Sequence, residues 1–274
     1  MPRGRRVELS PVFVLHHRPW RDTSRMLEVF AREQGRLTLF ARGVRGPRSR
    51  SASLLQPFVP LLASWTGSGE TAQLNQVEAA PEMSATGLPP AALMPAWYLN
   101  ELLMKLVLRA DPQPAVFDLY AGALARLRRG DAVAAVLRGF ERDLLGLLGF
   151  GLELRREAQG GAPLQDDRYY HFHPDLGFVG IHAEAESAYP GRSLLALADD
   201  DLQEDHVLED ARRLMRTALD HALEGRELRT RAVARAVTRR ASRAATEAAA
   251  RTRATASADD AVAFPDAAAG ESRS

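Results

Sequence analysis

Five short segments of alternating apolar and polar residues fill the first eighty positions, before the pattern turns helical near Pro89. They span residues 12–16, 26–32, 36–41, 57–65 and 71–79. Alternation with a period of two is typical of half-buried β-strands, because successive side chains point to opposite faces. Five such strands joined by short connections predict a small closed barrel, an architecture that often binds nucleic acid.

The charge of the chain is segregated along its length. Residues 1–50 hold 12 Lys and Arg against 4 Asp and Glu, residues 51–210 hold 11 against 23, and residues 211–253 hold 12 against 4. The net charge of the whole chain is only +1. Two basic zones that flank an acidic middle favour a polyanionic partner, since evenly mixed charge would indicate only solubility.

Several functional classes are disfavoured. The chain has no cysteine, which excludes disulfides, thiolate zinc sites and cysteine nucleophiles. Neither a phosphate-cradling glycine loop followed by lysine nor a His-Glu-x-x-His pattern is found, and no apolar run is long enough to span a bilayer. We therefore expect a cytoplasmic, nucleoid-associated protein without membrane contact, enzymatic activity, cofactor or metal.

The rest of the chain predicts an α+β protein in which helices follow the barrel. Prolines and a glycine at 81–90 predict a linker. Helical periodicity follows at 91–109, 113–128 and 131–148, then at 194–198, 205–223 and 227–239. A small cysteine-free hairpin is expected within 152–190. The predicted units are a barrel domain at 1–82, an all-helical domain at 83–240 and a disordered tail at 241–274, which is poor in large apolar residues.

A basic loop after the third strand is the strongest candidate for a DNA-binding site. Residues 42–50 contain four arginines, Arg42, Arg45, Arg48 and Arg50, interleaved with glycine. Guanidinium groups match phosphate oxygens, and glycine permits close approach of the backbone. A loop that is simply solvated is the alternative interpretation.

Aromatic side chains in the strand region are candidates for base stacking. Most of them must be core residues in so small a barrel, and Trp20, beside Arg18, is the one that the sequence places in a loop. Packing of Trp20 is the alternative. The six aromatic residues considered are Phe13, Trp20, Phe30, Phe40, Phe58 and Trp65.

Two further sets of arginines lie in predicted helices. Arg231 and Arg235 are four residues apart and form a positive stripe, which either contacts DNA or faces solvent. Arg138 and Arg142 are also one turn apart and flank Phe140. A cation beside an apolar groove suits a peptide that ends in a hydrophobic residue and a free carboxylate.

Two other clusters are expected to be structural. His171 and His173 point to one face of a strand but lack a third ligand, so they are interpreted as exposed hairpin residues. The run 199–201, three consecutive aspartates, is expected to cap the helix that follows it.

An ordered set of short motifs resembles the RecO family of bacterial recombination mediators. The segment at 12–20, the triplets at 22–24 and 35–37, and the segments at 55–61, 98–103 and 137–151 carry it. The likeness continues through Gly177-Phe178 to Leu228-Arg229-Thr230-Arg231, which is similar to the family's Leu-Lys-Ser-Arg ending. It covers residues 7–240.

The resemblance implies an N-terminal oligonucleotide-binding (OB) barrel and a partner-binding helical domain. Family members bind single- and double-stranded DNA, anneal complementary strands, and act with RecR to load RecA onto strands coated by single-stranded DNA-binding protein (SSB). They also dock the C-terminal tail of SSB, and Arg138 corresponds to an arginine implicated in that docking. Gly139 replaces a commonly basic position, and the zinc module of some relatives is expected to be metal-free here. An RNA-binding or ribosome-associated OB protein is the alternative function.

Overall fold

The computed structural model of the chain describes residues 6–44, 46, 51–81, 87–182, 185, 187–236 and 239. The predicted DNA-binding residues Arg45, Arg48 and Arg50, and the predicted tail at 241–274, lie outside the described residues. No helix in the described part is long and apolar enough to cross a membrane.

The first five strands form a closed barrel, as the sequence predicts. The strand order is β1-β2-β3-β5-β4, and β4 pairs back with β1, so the sheet closes on itself. All pairs are antiparallel except β3 with β5, which gives an OB-like topology. The strands are β1 (Arg6–Trp20), β2 (Ser24–Ala31), β3 (Gly35–Ala41), β4 (Pro60–Ser68) and β5 (Thr71–Ala79).

β1 is the strand whose extent the sequence underestimated, because it begins six residues before the predicted start. It pairs with both β2 and β4, and its register shifts twice, between Val7 and Ser10 and between Val14 and His16. Each irregularity interrupts the alternation of inward and outward side chains, so the strand does not look continuous in the sequence. Bulges of this kind bend a long strand and allow it to serve both sides of a barrel.

The barrel interior is aliphatic. Alternate side chains of β1 to β5 point inward and exclude water, and Trp65 is the aromatic residue among them. The buried residues of this cluster are Val12, Val14, Leu27, Val29, Ala31, Leu37, Leu39, Ala41, Val44, Leu55, Leu61, Ala63, Trp65 and Ala72.

The helical layer begins after the proline-containing connection. The helices are α1 (Pro90–Leu106), α2 (Pro114–Arg129), α3 (Val133–Leu147), α4 (Gly191–Ala198) and α5 (Asp205–Ala222). The predicted hairpin is present as β6 (Tyr169–His173) and β7 (Gly177–Ile181). A third strand, β8 (Tyr189–Pro190), pairs with β6 and was not predicted, because two residues carry no readable alternation.

The barrel and the helices share one hydrophobic core. Phe13, Leu15 and Phe30 belong to the same buried cluster as the helices. The ring centroid of Phe13 lies 5.2 Å from that of Phe117 and 5.0 Å from that of Tyr120. Phe13 and Phe30 are core residues, as the sequence predicts, but the core they join is the one shared with the helices, which cover the outer face on which they lie.

A buried polar contact fixes this seam. The side-chain amide of Asn100 donates a 2.7 Å hydrogen bond to the carbonyl oxygen of Leu15, and the hydroxyl of Tyr120 donates to the amide oxygen of Asn100. Burial raises the pKa of Tyr120, so its hydroxyl keeps the proton that it donates. Barrel and helices up to Leu228 accordingly form one compact unit.

Residues from Arg229 onward form a second unit. Within it, residues 229–236 and 239 are helical. Arg231 is half-buried and Arg235 is exposed. Their spacing of four residues places them on one side of this helix, as the sequence predicts.

Candidate nucleic-acid interface

One side of the barrel remains uncovered by helices and carries aromatic and cationic side chains. On β1, His16, Arg18 and Trp20 occupy alternate positions and therefore share the outer face. Across the strands, Arg18 pairs with Met26 and Met26 pairs with Phe40. In an OB fold the face of strands 2 and 3 is the usual ligand-binding surface. Here the part of that face around Met26 and Phe40 stays open, whereas Phe30 and Arg36 on the same face are buried.

A cleft of about 660 Å³ lies at one end of this face. Its walls are Trp20, Phe40, Arg42 and Gln73, and the turn at 21–24 closes one side. The side chain of Trp20 is 39% exposed. Its ring centroid lies 5.5 Å from that of Phe40, with an interplanar angle of 54°. The indole is therefore supported from one side while its other surface stays open to a ligand.

Local geometry holds these walls in place. The prediction that Trp20 lies in a loop was wrong, because β1 extends to Trp20, which pairs with Ser24. The next residue, Arg21, adopts a left-handed backbone conformation with φ of 51°, which lets the chain turn at once into β2. Phe40 pairs with Gln73 in the parallel β3–β5 contact, and the Gln73 amide donates a 2.6 Å hydrogen bond to the Phe40 carbonyl. The floor of the cleft is thus built from paired strands rather than loops.

Two arginines at or next to the cleft, Arg18 and Arg42, have no ion pair with a carboxylate among the described side chains. Arg18 and Arg42 are both exposed. Over the residues that the structure describes, no carboxylate lies within ion-pair distance of either guanidinium. The Nε atom of Arg18 lies 3.1 Å from the sulfur of Met26. Asp22 also lines the cleft, in the turn.

Two residues of the cleft were missed in the sequence. Phe40 was grouped with the aromatic residues expected in the core, but it is half-buried and lies on the face opposite to Leu39 and Ala41, which are buried inside. Period-two alternation in β3 carried this information. Gln73 could not be found in the same way, because its place depends on the parallel pairing of β5 with β3.

The structure therefore gathers part of the predicted set. Trp20 and Arg42 line one cleft, and Arg18 lies in the adjacent cross-strand row. Arg231 and Arg235 belong to the second unit. A DNA-binding role of all five residues remains a prediction.

The helical candidates have a different environment, in which carboxylates surround the arginines. The guanidinium of Arg138 lies 2.8 Å from Oε1 of Glu141, and their side chains are 12% and 1% exposed. The hydroxyl of Tyr98 donates a 2.6 Å hydrogen bond to the same oxygen. Arg138 is thus part of a largely buried polar network that Glu141 and Tyr98 complete.

Arg142 fastens α3 to the end of α4. It donates a 2.6 Å hydrogen bond to the carbonyl of Leu197 and lies 2.7 Å from Asp143 and 3.2 Å from Asp200. Burial alone lowers the pKa of Arg142, but the two carboxylates outweigh it and hold the pKa above its ordinary value.

The expectation that residues 199–201 cap the following helix was wrong. α5 begins at Asp205 with Glu204 as its N-cap residue. Asp199 instead pairs with Arg155, and Asp200 lies 3.2 Å from Arg142. The aspartates fasten α4 to neighbouring segments, because the helix they were expected to cap starts several residues later.

Phe140 is 2% exposed and belongs to the shared core. A side chain this buried supports the helix that carries Arg138 and Arg142 but does not offer a surface to a partner. A docking role for Phe140 is therefore an indirect one.

The histidines of the hairpin lie side by side, with ring centroids 5.5 Å apart. The Nε2 atom of His171 lies 3.5 Å from the hydroxyl of Ser187. Within the described residues, no group of three or more acidic or histidine side chains is arranged to hold a metal ion.

Comparison with known proteins places these features in one family. Two family models match the chain, Recombination protein O N terminal over residues 8–81 and Recombination protein O C terminal over residues 90–232. A DNA repair protein RecO from Methylococcus capsulatus is 42% identical over 231 residues, which cover 84% of this chain and 94% of the relative. Proteins of the same name from Nitrosococcus oceani and Alkalilimnicola ehrlichii are 41% and 43% identical, over 83% and 85% of this chain and 93% and 92% of each relative.

Proposed function

The chain belongs to the RecO family of DNA repair proteins, and from this premise we propose that it binds DNA strands on the open barrel face and brings them together in repair and recombination. Family membership supports the role in repair and recombination. The barrel face supports the more specific part of the proposal, which is the holding of single strands.

The cleft at Trp20 is the observation that carries the proposal. An indole that is supported by Phe40 and open on its outer side offers a stacking surface to any base. Arg42 lines the same cleft and has no carboxylate partner among the described side chains, so it is available to a phosphate. Stacking and phosphate neutralisation together are what sequence-tolerant binding of single strands requires.

Annealing follows from this chemistry. Two strands repel each other through their phosphates, and arginines that neutralise those phosphates lower the repulsion. A protein that holds backbones and stacks only occasional bases leaves the remaining base edges free to pair. No bond is made or broken, so this function needs neither a catalytic group nor a cofactor.

The partner-binding part of the proposal concerns the helical domain. We propose that it meets RecR and the C-terminal tail of SSB, so that RecA can be loaded on SSB-coated single strands. Arg138 and Arg142 are the candidate docking residues, but both are held by carboxylates. An acidic tail therefore has to compete with Glu141 and Asp200 for these guanidinium groups.

An Arg138→Lys variant tests this site without removing a buried charge. Lysine keeps the ion pair with Glu141 but loses the fork of the guanidinium, which matches a carboxylate bidentately. We expect a peptide with the sequence of the SSB tail to bind this variant more weakly than the native chain. Native peptide affinity would rule out Arg138 as a docking residue.

Stacking in the cleft is tested by Trp20→Ala, with Phe150→Ala as the matched control. Both remove an exposed aromatic side chain, but Phe150 lies in the helical domain. We expect Trp20→Ala to weaken binding of a single-stranded oligonucleotide roughly fivefold or more, because a stacked base contributes about 1–3 kcal/mol. Phe150→Ala should bind as the native chain does, and equal affinities of all three proteins would contradict the assignment of the cleft.

Strand annealing on SSB-coated DNA distinguishes a repair mediator from a generic basic protein. The native chain is expected to accelerate annealing of coated complementary strands, and Trp20→Ala to do so less. The same assay with RNA strands addresses the alternative function. A preference for RNA would favour an RNA-binding protein, since only RNA offers a 2′-hydroxyl to recognise.

A further inference from the structure

A second cleft, of about 360 Å³, lies where the open barrel face meets the helical domain. Arg18, Glu28 and Arg36 line it from the barrel, and Arg109 lines it from the segment after α1. We call it the junction cleft. Three arginines and one carboxylate in such a small space leave an excess of positive charge.

Glu28 is shared between two of these arginines. Arg109 donates a hydrogen bond to Oε2 of Glu28, and the Nε atom of Arg36 lies 3.6 Å from Oε1. The hydroxyl of Thr38 donates a 3.3 Å hydrogen bond to Oε2. Glu28 therefore faces two guanidinium groups, Glu70 lies 3.9 Å from the Nε atom of Arg109 as a second and more exposed carboxylate, and Arg18 has no ion pair among the described residues.

Arg36 shows that the neutralisation is incomplete. Its side chain is only 10% exposed, and its Nε atom has no hydrogen-bond partner in the described part of the chain. Its other end donates to the carbonyls of Leu103 and Met104. Burial lowers the pKa of Arg36; Glu28 opposes this shift, and nearby Arg109 adds to it. A buried cationic donor without a full set of acceptors is costly, and an anion that enters the cleft would supply the missing acceptor.

The junction cleft adjoins the Trp20 cleft. Arg18 and Met26, which line the former, are in one cross-strand row with Phe40, which lines the latter. Neighbours in such a row have Cβ atoms about 5 Å apart. A ligand that extends along the barrel face from one cleft therefore reaches the other.

We propose that the junction cleft binds a backbone phosphate of the same strand whose bases contact Trp20 and Phe40, and that Glu28 is an internal anion which this phosphate displaces. The inference rests on the proposed function, because it assumes that the barrel face holds a nucleic-acid strand. Arg109 and Arg36 form the phosphate site, and Arg18 joins the two clefts. Without DNA, Glu28 occupies the arginines and keeps them from weaker anions.

The first test compares Glu28→Gln with Glu33→Gln in the full chain. Both remove one negative charge, but Glu33 pairs with Arg32 outside both clefts. A single-stranded oligothymidylate of about 16 nucleotides spans an OB fold. We expect Glu28→Gln to bind it roughly threefold to tenfold more tightly than Glu33→Gln does, since a competing ion pair has been removed. Equal affinities of the two variants would overturn the proposal, because then only net charge matters.

The second test measures the salt dependence of binding in Arg109→Gln. Each phosphate contact on a single strand contributes about 0.7 to the slope of log affinity against log salt. Loss of this contact should reduce the slope by about that amount, and an unchanged slope would overturn the proposal. If Glu28→Gln does not fold, Glu28→Asp and Arg109→Gln still test the proposal. Aspartate keeps the negative charge, so Glu28→Asp should leave the salt slope close to the native value. A change of the slope in Glu28→Asp as large as in Arg109→Gln would contradict the phosphate site.

The two proposals fail in different ways. If Trp20→Ala loses affinity while Arg109→Gln keeps the native slope, the strand uses the Trp20 cleft alone and the junction cleft is not a phosphate site. If neither variant differs from the native chain, the barrel face itself is not the DNA surface. Inorganic phosphate serves as a further probe. It should raise the melting temperature of Glu28→Gln more than that of Glu33→Gln, and an equal rise would count against a built phosphate site.

Discussion

The arginines of the barrel face and those of α3 look alike in the sequence but differ in what surrounds them. Arg18 lies on the open strand surface and Arg42 in the turn after β3, and neither guanidinium is within ion-pair distance of a carboxylate among the described residues. Arg138 and Arg142 are held by Glu141, Asp143 and Asp200. A positive charge in the first setting is available to a ligand, whereas in the second it is already used to join parts of the fold.

This difference separates binding from stability. An unpaired exposed arginine adds little to the free energy of unfolding, but it contributes to the affinity for a polyanion. A paired and buried arginine does the opposite, because removing it leaves a carboxylate without its counter-charge. Substitutions of the barrel-face arginines should therefore change mainly the affinity for DNA, whereas substitutions of the α3 arginines should change mainly the free energy of unfolding.

The largest loss of stability is expected for Arg138→Ala. Glu141 is 1% exposed and would lose its cationic partner, so the free energy of unfolding should fall by about 3 kcal/mol. Urea denaturation monitored by circular dichroism measures this change, and Arg138→Lys is the control that keeps the charge. A loss well below 1 kcal/mol would mean that the network around Glu141 does not depend on Arg138.

Arg142→Ala should have the next largest effect. It removes the hydrogen bond to the Leu197 carbonyl and the pair with Asp200, which connect α3 to the end of α4, and also the pair with Asp143 within α3. We expect a loss of about 2 kcal/mol, since hydrogen bonds from charged donors are stronger than neutral ones. Hydrogen exchange of the α4 amides should be faster in this variant. Protection of α4 equal to that in the native chain would show that Arg142 does not stabilise the contact between α3 and α4.

Arg42→Ala should leave stability nearly unchanged and affect binding instead. An exposed substitution of this type changes the free energy of unfolding by less than about 0.5 kcal/mol. The salt slope of single-strand binding should decrease by about 0.7, which corresponds to one phosphate contact. Arg216→Ala is the control, because Arg216 is an exposed arginine on α5. The same decrease in both variants would show that the effect is not local to the cleft.

The smallest effect is expected from pH. Burial lowers the pKa of His17, and the charge of Arg25 adds to the shift, while a hydrogen bond with Gln56 opposes it. A base whose pKa is lowered on folding is protonated more readily in the unfolded chain, so stability is full above about pH 6.5 and declines as the pH falls toward the folded pKa. Urea midpoints at about pH 7 and about pH 5.5 should differ more for the native chain than for His17→Gln. Equal differences in the two proteins would show that the protonation of His17 does not contribute to the pH dependence of stability.

Much of the architecture follows from local pattern. The alternation at 26–32, 36–41 and 71–79 predicts β2, β3 and β5 to within two residues, and helical periodicity predicts α2, α3 and α5. These signals are local, because a face that must be buried repeats with the period of its own element.

The parts that were missed depend on contacts distant in the sequence. Phe13 and Phe30 are covered by α2, which is more than eighty residues away in the sequence. Arg142 is partly neutralised by Asp200, which follows α4. Gln73 joins the Trp20 cleft only because β5 pairs with β3. A sequence states which side chains are aromatic or charged, but only the fold states what covers them.

The shared core of barrel and helices has a consequence for how such a protein changes in evolution. A barrel cut off at residue 81 would expose Phe13, Leu15 and Phe30 and leave the carbonyl of Leu15 without Asn100. The exposed apolar surface would favour aggregation of the isolated barrel over a stable, soluble domain. We therefore expect the two halves to be inherited together, because a gene that exchanged either half with that of an unrelated protein would have to rebuild the contacts between barrel and helices before it could yield a stable product.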